Sequence, residues 1–406
     1  MLIRLIKNIK GDRQIWTIIL ILAVISLMVV YSSTRTLAYR YQDGNNEYYL
    51  FKHFFILMLG LGITFVTHLI DHRYFSRVAQ LMMFLSIPLL LYTLVFGVEL
   101  NDAKRWVTLP IINLTFQTSD FAKLSLIMYT SRMLSKKQGV IKDFQSGFLP
   151  IILPIIAIVG LIMPENLSSA AILMMTNLII MFIGRVNSKY IAATIGMGIL
   201  LLGVVVLIGY LSPDKGRIMT WKSRIEEYIV VKENSEPSYQ IQQANIAIAN
   251  GGIVRLAPGK CTQCNFLPHP YSDYIYATII EEYGLLGGAM IIFLYLWLLY
   301  RIIKIVKDSP RAFGALMAVG LGMSLVIQAF INMGVTVNLL PVTGLTLPFI
   351  SMGGTSIWFN GFALGIILSV SRNIEDGKQA TRTILVDDEV EHVGRRKRNH
   401  SEELPV

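Results

Sequence analysis

The chain is 406 residues long, with 54% hydrophobic and only 15% charged residues, and its mean hydropathy is +0.56. A soluble domain carries about a quarter charged residues, and a soluble chain of this length would need them to cover more than one core. Intrinsic disorder, a coiled coil and a disulfide-rich scaffold are excluded too, which leaves a polytopic membrane protein. The net charge of +10 would suggest nucleic acid in a soluble protein; here the placement of charge matters more than its sum, and no nucleic-acid partner is expected.

Met1 to Gln14 is basic, and the apolar run after it is too long for a signal-peptide core and lacks a small-residue cleavage site. It reads as a retained first span. At about 20 apolar residues per span, ten segments qualify: 15–31, 54–70, 78–96, 118–134, 148–163, 169–184, 189–211, 273–300, 312–333 and 345–371. The fourth contains Asp120, Lys123 and Arg132, so hydropathy alone marks it weakly. The fifth and sixth are short, and only Pro164 to Ser168 separates them, as in a tight helical hairpin.

The expected fold class is therefore all-α: a ten-helix membrane domain over 15–371, a cytoplasmic N-terminus over 1–14 and a charged, disordered cytoplasmic tail over 372–406. With the N-terminus inside, 23 of the 36 Lys and Arg fall on the cytoplasmic side. Seven of those outside lie in one long loop, 212–272, and long loops obey the charge rule poorly. This loop opens with Trp221, Lys222, Arg224 and Tyr228, a charged aromatic stretch suited to the membrane interface. Tyr239 to Asn250 then places Ile241, Ala244 and Ile248 on one helical stripe, which Gly251 and Gly252 end. The loop is expected to be partly ordered and folded back onto the bundle.

Polar groups at membrane depth or its outer edge usually face a cavity or a partner, and three groups qualify. The first joins Lys104 and Arg105 to Asp120 and Lys123. Asp120 and Lys123 share a helical face at i and i+3, so they can form a packing salt bridge or help hold a pyrophosphate; Arg105 offers a fork of donors to phosphate. The second is Leu267 to Tyr274. Its Asp273 sits where loop becomes helix, which suits an N-cap, a general base, or both. Glu281 and Glu282 follow and are expected to pair within the helices. The third runs from Asn338 to Ser356, where two prolines and three glycines suggest a broken helix or re-entrant turn, or close packing through small residues.

Cys261 and Cys264, the two cysteines, form a C-x-x-C near His269. A fourth zinc ligand and a thioredoxin context are both missing. The pair reads as incidental to function, with a disulfide open to it in an oxidising compartment. No P-loop, Rossmann or Ser-His-Asp signature is present.

Taken together, Ala103-Lys104-Arg105-Trp106, Ser119 to Lys123, Gln243 to Gly252, Leu267-Pro268 through Asp273-Tyr274-Ile275-Tyr276-Ala277, Glu281-Glu282-Tyr283-Gly284 and Leu347 to Gly354 resemble the SEDS family (shape, elongation, division and sporulation) of ten-span bacterial peptidoglycan glycosyltransferases. The match runs from span one to about Arg372 and is most similar to the division-associated FtsW branch of Bacteroidetes-like bacteria, with the elongation branch, RodA, as the near alternative.

The resemblance implies polymerisation of lipid II at the outer face of the cytoplasmic membrane, at the division septum. It implies Asp273 as the catalytic base, and Lys104, Arg105, Asp120, Lys123, Ser351, Gly353 and Gly354 as substrate-binding residues. No covalently bound cofactor is implied; a divalent cation, Mg or Mn, would assist at the pyrophosphate. The implied partners are a class B penicillin-binding protein transpeptidase and other divisome membrane proteins.

Three features depart from the family's usual pattern. Asp120 stands where a Glu is usual, Cys264 occupies a usually basic position in a Gly-rich loop that here gains Arg255, and Pro164-Glu165-Asn166 replaces Pro-Asp-x-Gly. Two competing readings are a lipid II flippase or transporter, which broken helices and intramembrane charge also fit, and a non-catalytic divisome scaffold.

Overall fold

The computed structural model describes residues 10–100, 103–109, 114–211, 239–255 and 257–377. In chain order its helices are α1 (Arg13–Ser33), α2 (Arg35–Tyr41), α3 (Asn46–Leu69), α4 (Phe75–Phe96), α5 (Thr118–Lys136), α6 (Leu149–Ile162), α7 (Leu167–Ile183), α8 (Ser188–Leu211), α9 (Tyr239–Gly251), α10 (Ile275–Asp308) and α11 (Ala312–Thr336), followed by α12 (Ser356–Gly377). Seven stretches are long and apolar enough to cross a membrane: α1, α3, α4, α6 with its π-turn, α10, α11 and α12. The other three predicted spans are α5, α7 and α8. The aromatic start of the long loop (212–238) and the tail from 378 onward lie outside the described residues.

The helix α5 fails the hydropathy test because it faces protein rather than lipid. Its Asp120, Lys123 and Arg132 all have partners. Asp120 pairs with Lys123 at 2.7 Å. Arg132 Nη1 donates to the Ser76 carbonyl and Nη2 to Gln80 Oε1, each at 2.7 Å. Such partners are what make ionisable groups tolerable at this depth.

One boundary and one class of element stand out against expectation. The last span begins at Ser356 rather than 345 and runs on to Gly377. The stretch before it is irregular, as its prolines and glycines foretold. The second difference is a class of element: between α4 and α5 lies a small antiparallel sheet, β1 (Val98–Leu100), β2 (Ala103–Leu109) and β3 (Leu114–Gln117), in the order β1-β2-β3. The all-α expectation missed it. Its signal was present in the alternating, β-branched run Trp106-Val107-Thr108-Leu109.

Small residues set how closely helices approach. Gly361 and Gly365 on α12 are four apart and lie against α3. A Cβ at Gly361 would stand 2.5 Å from the Gly60 carbonyl oxygen, and Thr64 Oγ1 donates to the Gly361 carbonyl at 3.0 Å. This is the small-xxx-small contact that lets helix backbones meet in lipid. The described ends of the chain also meet, with Lys10 Nζ 2.9 Å from Asp376 Oδ1.

The described part of the long loop folds back onto α10. Ile241, Ala244 and Ala247 of α9 are buried, and Gly252, at φ +57°, ends the helix. The chain then crosses α10 at Gly284, whose φ of 72° breaks the helix. The freed amides of Leu285 and Leu286 donate to the carbonyls of Gly252 and Ile253 at 3.0 and 3.2 Å. A Cβ at Gly284 would lie 2.7 Å from the Ile253 oxygen, so glycine is required by both conformation and space.

Glu281 and Glu282, expected to pair between helices, instead bind this loop. Glu281 accepts from the amides of Thr262 and Gln263 at 2.9 and 3.1 Å and from Thr262 Oγ1 at 2.6 Å. Glu282 accepts from the Gly259 amide at 3.0 Å and from the Ser32 hydroxyl. Cys261 and Cys264 form a disulfide, and Cys261 Sγ lies 2.9 Å from Glu281 Oε2. Among the described residues, these two cysteines with Glu281 are the one metal-like cluster of His, Cys, Asp or Glu. The disulfide consumes both sulfurs, so a zinc site does not fit.

Two outcomes follow. Purified protein should resist maleimide until reduced and then take up two labels, read by intact mass. Replacing both cysteines by serine should cost about 2 kcal/mol of stability for so short a loop. By contrast, Glu281→Ala strands the two amides and should cost about 1–3 kcal/mol for each, read as a larger fall in melting temperature than the cysteine change gives.

Candidate functional site

The site grows from two irregular segments, 269–274 before α10 and 345–355 before α12. They are laced together. The Met352 amide donates to the Tyr271 carbonyl at 2.9 Å. Ser351 Oγ donates to the Ser272 carbonyl at 2.7 Å and accepts from the Leu347 amide at 2.8 Å. The second segment is re-entrant, for its carbonyls reach donors deep in the bundle. Ile350 O accepts from Ser26 Oγ, in the middle of α1, at 2.7 Å; Pro348 O accepts from the Tyr295 hydroxyl. Phe349 holds a left-handed φ of 66°, which costs about 1–3 kcal/mol. Leu347, Phe349 and Ile350 are each no more than 2% exposed, and burying three such side chains, at about 1.5–3 kcal/mol each, outweighs that strain.

Asp273 belongs to the first of these segments and is half-buried. The cap residue of α10 is Tyr274, which makes no side-chain cap bond, so Asp273 stands one residue before the cap position rather than at it. Its Oδ1 accepts from Ser272 Oγ at 2.9 Å. Its own carbonyl accepts from Asn332 Nδ2 at 2.9 Å, and the same Nδ2 donates to the Leu345 carbonyl at 2.6 Å. Gly344, with φ +64°, faces the carboxylate: a Cβ there would lie 3.7 Å from Asp273 Oδ2.

One helical turn from Asn332, Gln328 Nε2 donates to the Thr346 carbonyl at 2.9 Å, and its Oε1 accepts from Lys123 Nζ at 3.4 Å. A polar chain thus runs from Asp120 through Lys123 and Gln328 to the segment that flanks Asp273. Asp120 Oδ2 is buried without a hydrogen-bond partner among the described residues. A cavity of about 30 Å³ lies beside Asp120, Lys123 and Gln328, room for a water or two. Gln328 and Asn332 were not singled out from the sequence; two amides at i and i+4 in an otherwise apolar helix were the available signal.

The remaining predicted site residues divide. Ser351, 1% exposed, spends its hydroxyl on the two segments. Gly353 allows close approach, since a Cβ would sit 2.2 Å from Ser356 Oγ, and Gly354 turns with φ +56°. These three build the frame. Lys104 and Arg105 fall on β2, where Lys104 stands in register with Glu99; their side chains lie outside the described set. The sheet abuts the re-entrant segment through Thr355 Oγ1 to the Thr115 carbonyl at 3.4 Å and Phe116 against Phe359, with centroids 5.4 Å apart. Burial, with the neighbouring Asp273 carboxylate second, raises the Tyr271 phenol above its ordinary value.

The family model described as "Cell cycle protein", FtsW/RodA/SpoVE, matches residues 12–376. The chain is similar to "Probable peptidoglycan glycosyltransferase FtsW" of Geobacter sulfurreducens, at 31% identity over 91% of this chain and 98% of that one. It is also similar to "Stage V sporulation protein E" of Bacillus subtilis, at 32% identity over 90% and 98%. Among solved structures it resembles a chain of a peptidoglycan synthase complex, with a TM-score of 0.69 and 24% identity over 90% of this chain and 98% of that one. It likewise resembles the rod shape determining protein RodA of Thermus thermophilus, with a TM-score of 0.65 and 22% identity over 89% and 97%. A re-entrant segment laced to the start of α10, in a chain so matched along nearly its whole length, makes this protein a member of the FtsW/RodA/SpoVE family.

Proposed function

We propose that this multi-pass inner-membrane protein is a peptidoglycan glycosyltransferase that polymerises lipid II, with Asp273 as general base. The observation that carries the reading is the half-buried Asp273 carboxylate, whose backbone Asn332 holds at 2.9 Å, at the start of α10. Asp273 takes the proton of the acceptor's 4-hydroxyl as that oxygen attacks the donor's anomeric carbon. The bond from that carbon to the pyrophosphate oxygen breaks, and undecaprenyl pyrophosphate leaves with the electron pair. Preformed positive charge is what such a leaving group needs.

Lys123 is ion-paired to Asp120, so Lys104 and Arg105 are the cations assigned to the pyrophosphate. Among the described residues Asp273 is the carboxylate on hand for a divalent cation, so an Mg or Mn ion would be held mainly by phosphate oxygens of the substrate, the usual manner for Mg²⁺. The basic surplus assigned to the inside puts both termini in the cytoplasm and the site on the outer face, where the sugar is wet and the prenyl tail lies in lipid. Action at the septum beside a class B transpeptidase, which would crosslink the strands, follows from the same reading.

The test is polymerisation of labelled lipid II by the purified full chain, with and without its transpeptidase. Asp273→Asn should lower the rate at least about 100-fold with the melting curve unchanged; a stable variant that polymerises at the normal rate would overturn the assignment. Asn332→Leu leaves the Asp273 and Leu345 carbonyls without their donor. It should cost about 1–3 kcal/mol of stability and slow turnover by misplacing the base, seen as a fall in kcat larger than any rise in KM.

A further inference from the structure

A cavity of about 380 Å³ opens beside the Asp273 segment. It is built from the end of α1, from α2, from the start of α9 and from residues 265–271, and it shares no lining residue with the Asp120–Gln328 cavity. Its lining includes Arg40, Tyr41, Tyr239, Asn265, His269 and Tyr271, beside apolar groups such as Leu37 and Phe266. Tyr41 and Tyr239 present their rings to solvent, at 70% and 54% exposure. Tyr271 joins the cavity to the site. Its hydroxyl lies 3.2 Å from His269 Nδ1, its carbonyl is bonded to the re-entrant segment through Met352, and Asp273 is two residues on.

The chemistry of this lining selects its ligand. Amphipathic tyrosine rings with an amide and an imidazole suit the mixed polar and apolar faces of a pyranose. Among the described residues Arg40 is the one Lys or Arg in the lining, enough for a carboxylate but weak for a pyrophosphate. The volume lies at the lower end of the roughly 300–1,000 Å³ range of ligand pockets, fit for one or two sugar rings. A polymerase needs two saccharide sites around its base, and the cations assigned to the leaving pyrophosphate belong to β2, none of whose described side chains lines this cavity.

We infer that this cavity is the acceptor subsite, taking the sugar whose hydroxyl Asp273 deprotonates and holding the acidic peptide arm of that sugar at Arg40. The inference rests on the polymerase reading.

The test separates binding from turnover. The full chain carrying Asp273→Asn is placed in nanodiscs and probed with the lipid-free disaccharide-pentapeptide by saturation-transfer NMR, and by photocrosslinking from benzoylphenylalanine at position 239. An adduct on the saccharide is expected. Arg40→Gln and Tyr239→Ala should each weaken binding about tenfold, a difference of about 1.4 kcal/mol. Tyr39→Ala, on α2 but outside the lining, should not. In the Asp273-containing enzyme the same two changes should raise KM for the acceptor more than they lower kcat, and shorten the strands.

Unchanged binding in both variants, or crosslinks that go to a transpeptidase and not to saccharide, overturns the subsite and leaves the polymerase intact. Saccharide binding lost in both variants, in a protein whose wild type makes no polymer, keeps the subsite and sinks the polymerase.

Discussion

Everything at the Asp273 end of the bundle depends on satisfying the backbone of one irregular segment away from water. An unpaired carbonyl in that setting costs several kcal/mol, and residues 345–351 lack a helix to pair them. Other helices supply donors to four of these carbonyls, and the Leu347 carbonyl is paired within the segment. Asn332 serves Leu345, Gln328 serves Thr346, Tyr295 serves Pro348 and Ser26 serves Ile350. These donors come from α1, α10 and α11, so the segment fixes the spacing of three spans. Packing through small residues on α12 then seats the span that follows.

The catalytic proposal inherits its geometry from that constraint. Asn332 is shared between the Leu345 and Asp273 carbonyls, and Ser351 between the two segments. The donors that make the re-entrant backbone tolerable thus also fix the backbone that carries Asp273. A carboxylate on a free loop would sample many positions; this one is held from both sides of its own peptide. Asp120 and Lys123 enter the same network as a neutralised pair, which is how charge can sit within a span at low cost.

Much of this was legible in the sequence, and what was not has physical causes. Apolar run length located ten spans, because lipid imposes length directly. The weakly marked fourth segment forms the helix α5, whose charges face partners in the protein. Prolines and glycines between 341 and 354 marked the irregular segment but not its depth, which depends on where Ser26 and Tyr295 fall in other helices. The sheet was missed because its strands are short and were read against a helical background. Glu281 and Glu282 were misread for a related reason. Carboxylates on a helix suggest pairing with cations, whereas here backbone amides from a loop 18 to 23 residues earlier satisfy them. Gln328 and Asn332 went unnoticed because uncharged amides in an apolar helix stand out less than charges do, although their i, i+4 spacing puts them on one face.

The departure at Cys264 takes on a different meaning in this frame. A basic residue is usual there in the family, and its loss seemed to remove a cation from phosphate binding. In the structure Cys264 is buried and its sulfur lies within 4.8 Å of the Glu281 carboxylate. A cation at that position would therefore meet Glu281. In this chain the carboxylate takes the Thr262 and Gln263 amides and the Thr262 hydroxyl instead, and the disulfide closes the loop around it. Hydrogen bonds and a covalent tie together keep the loop on α10, and so anchor the segment that leads into Asp273.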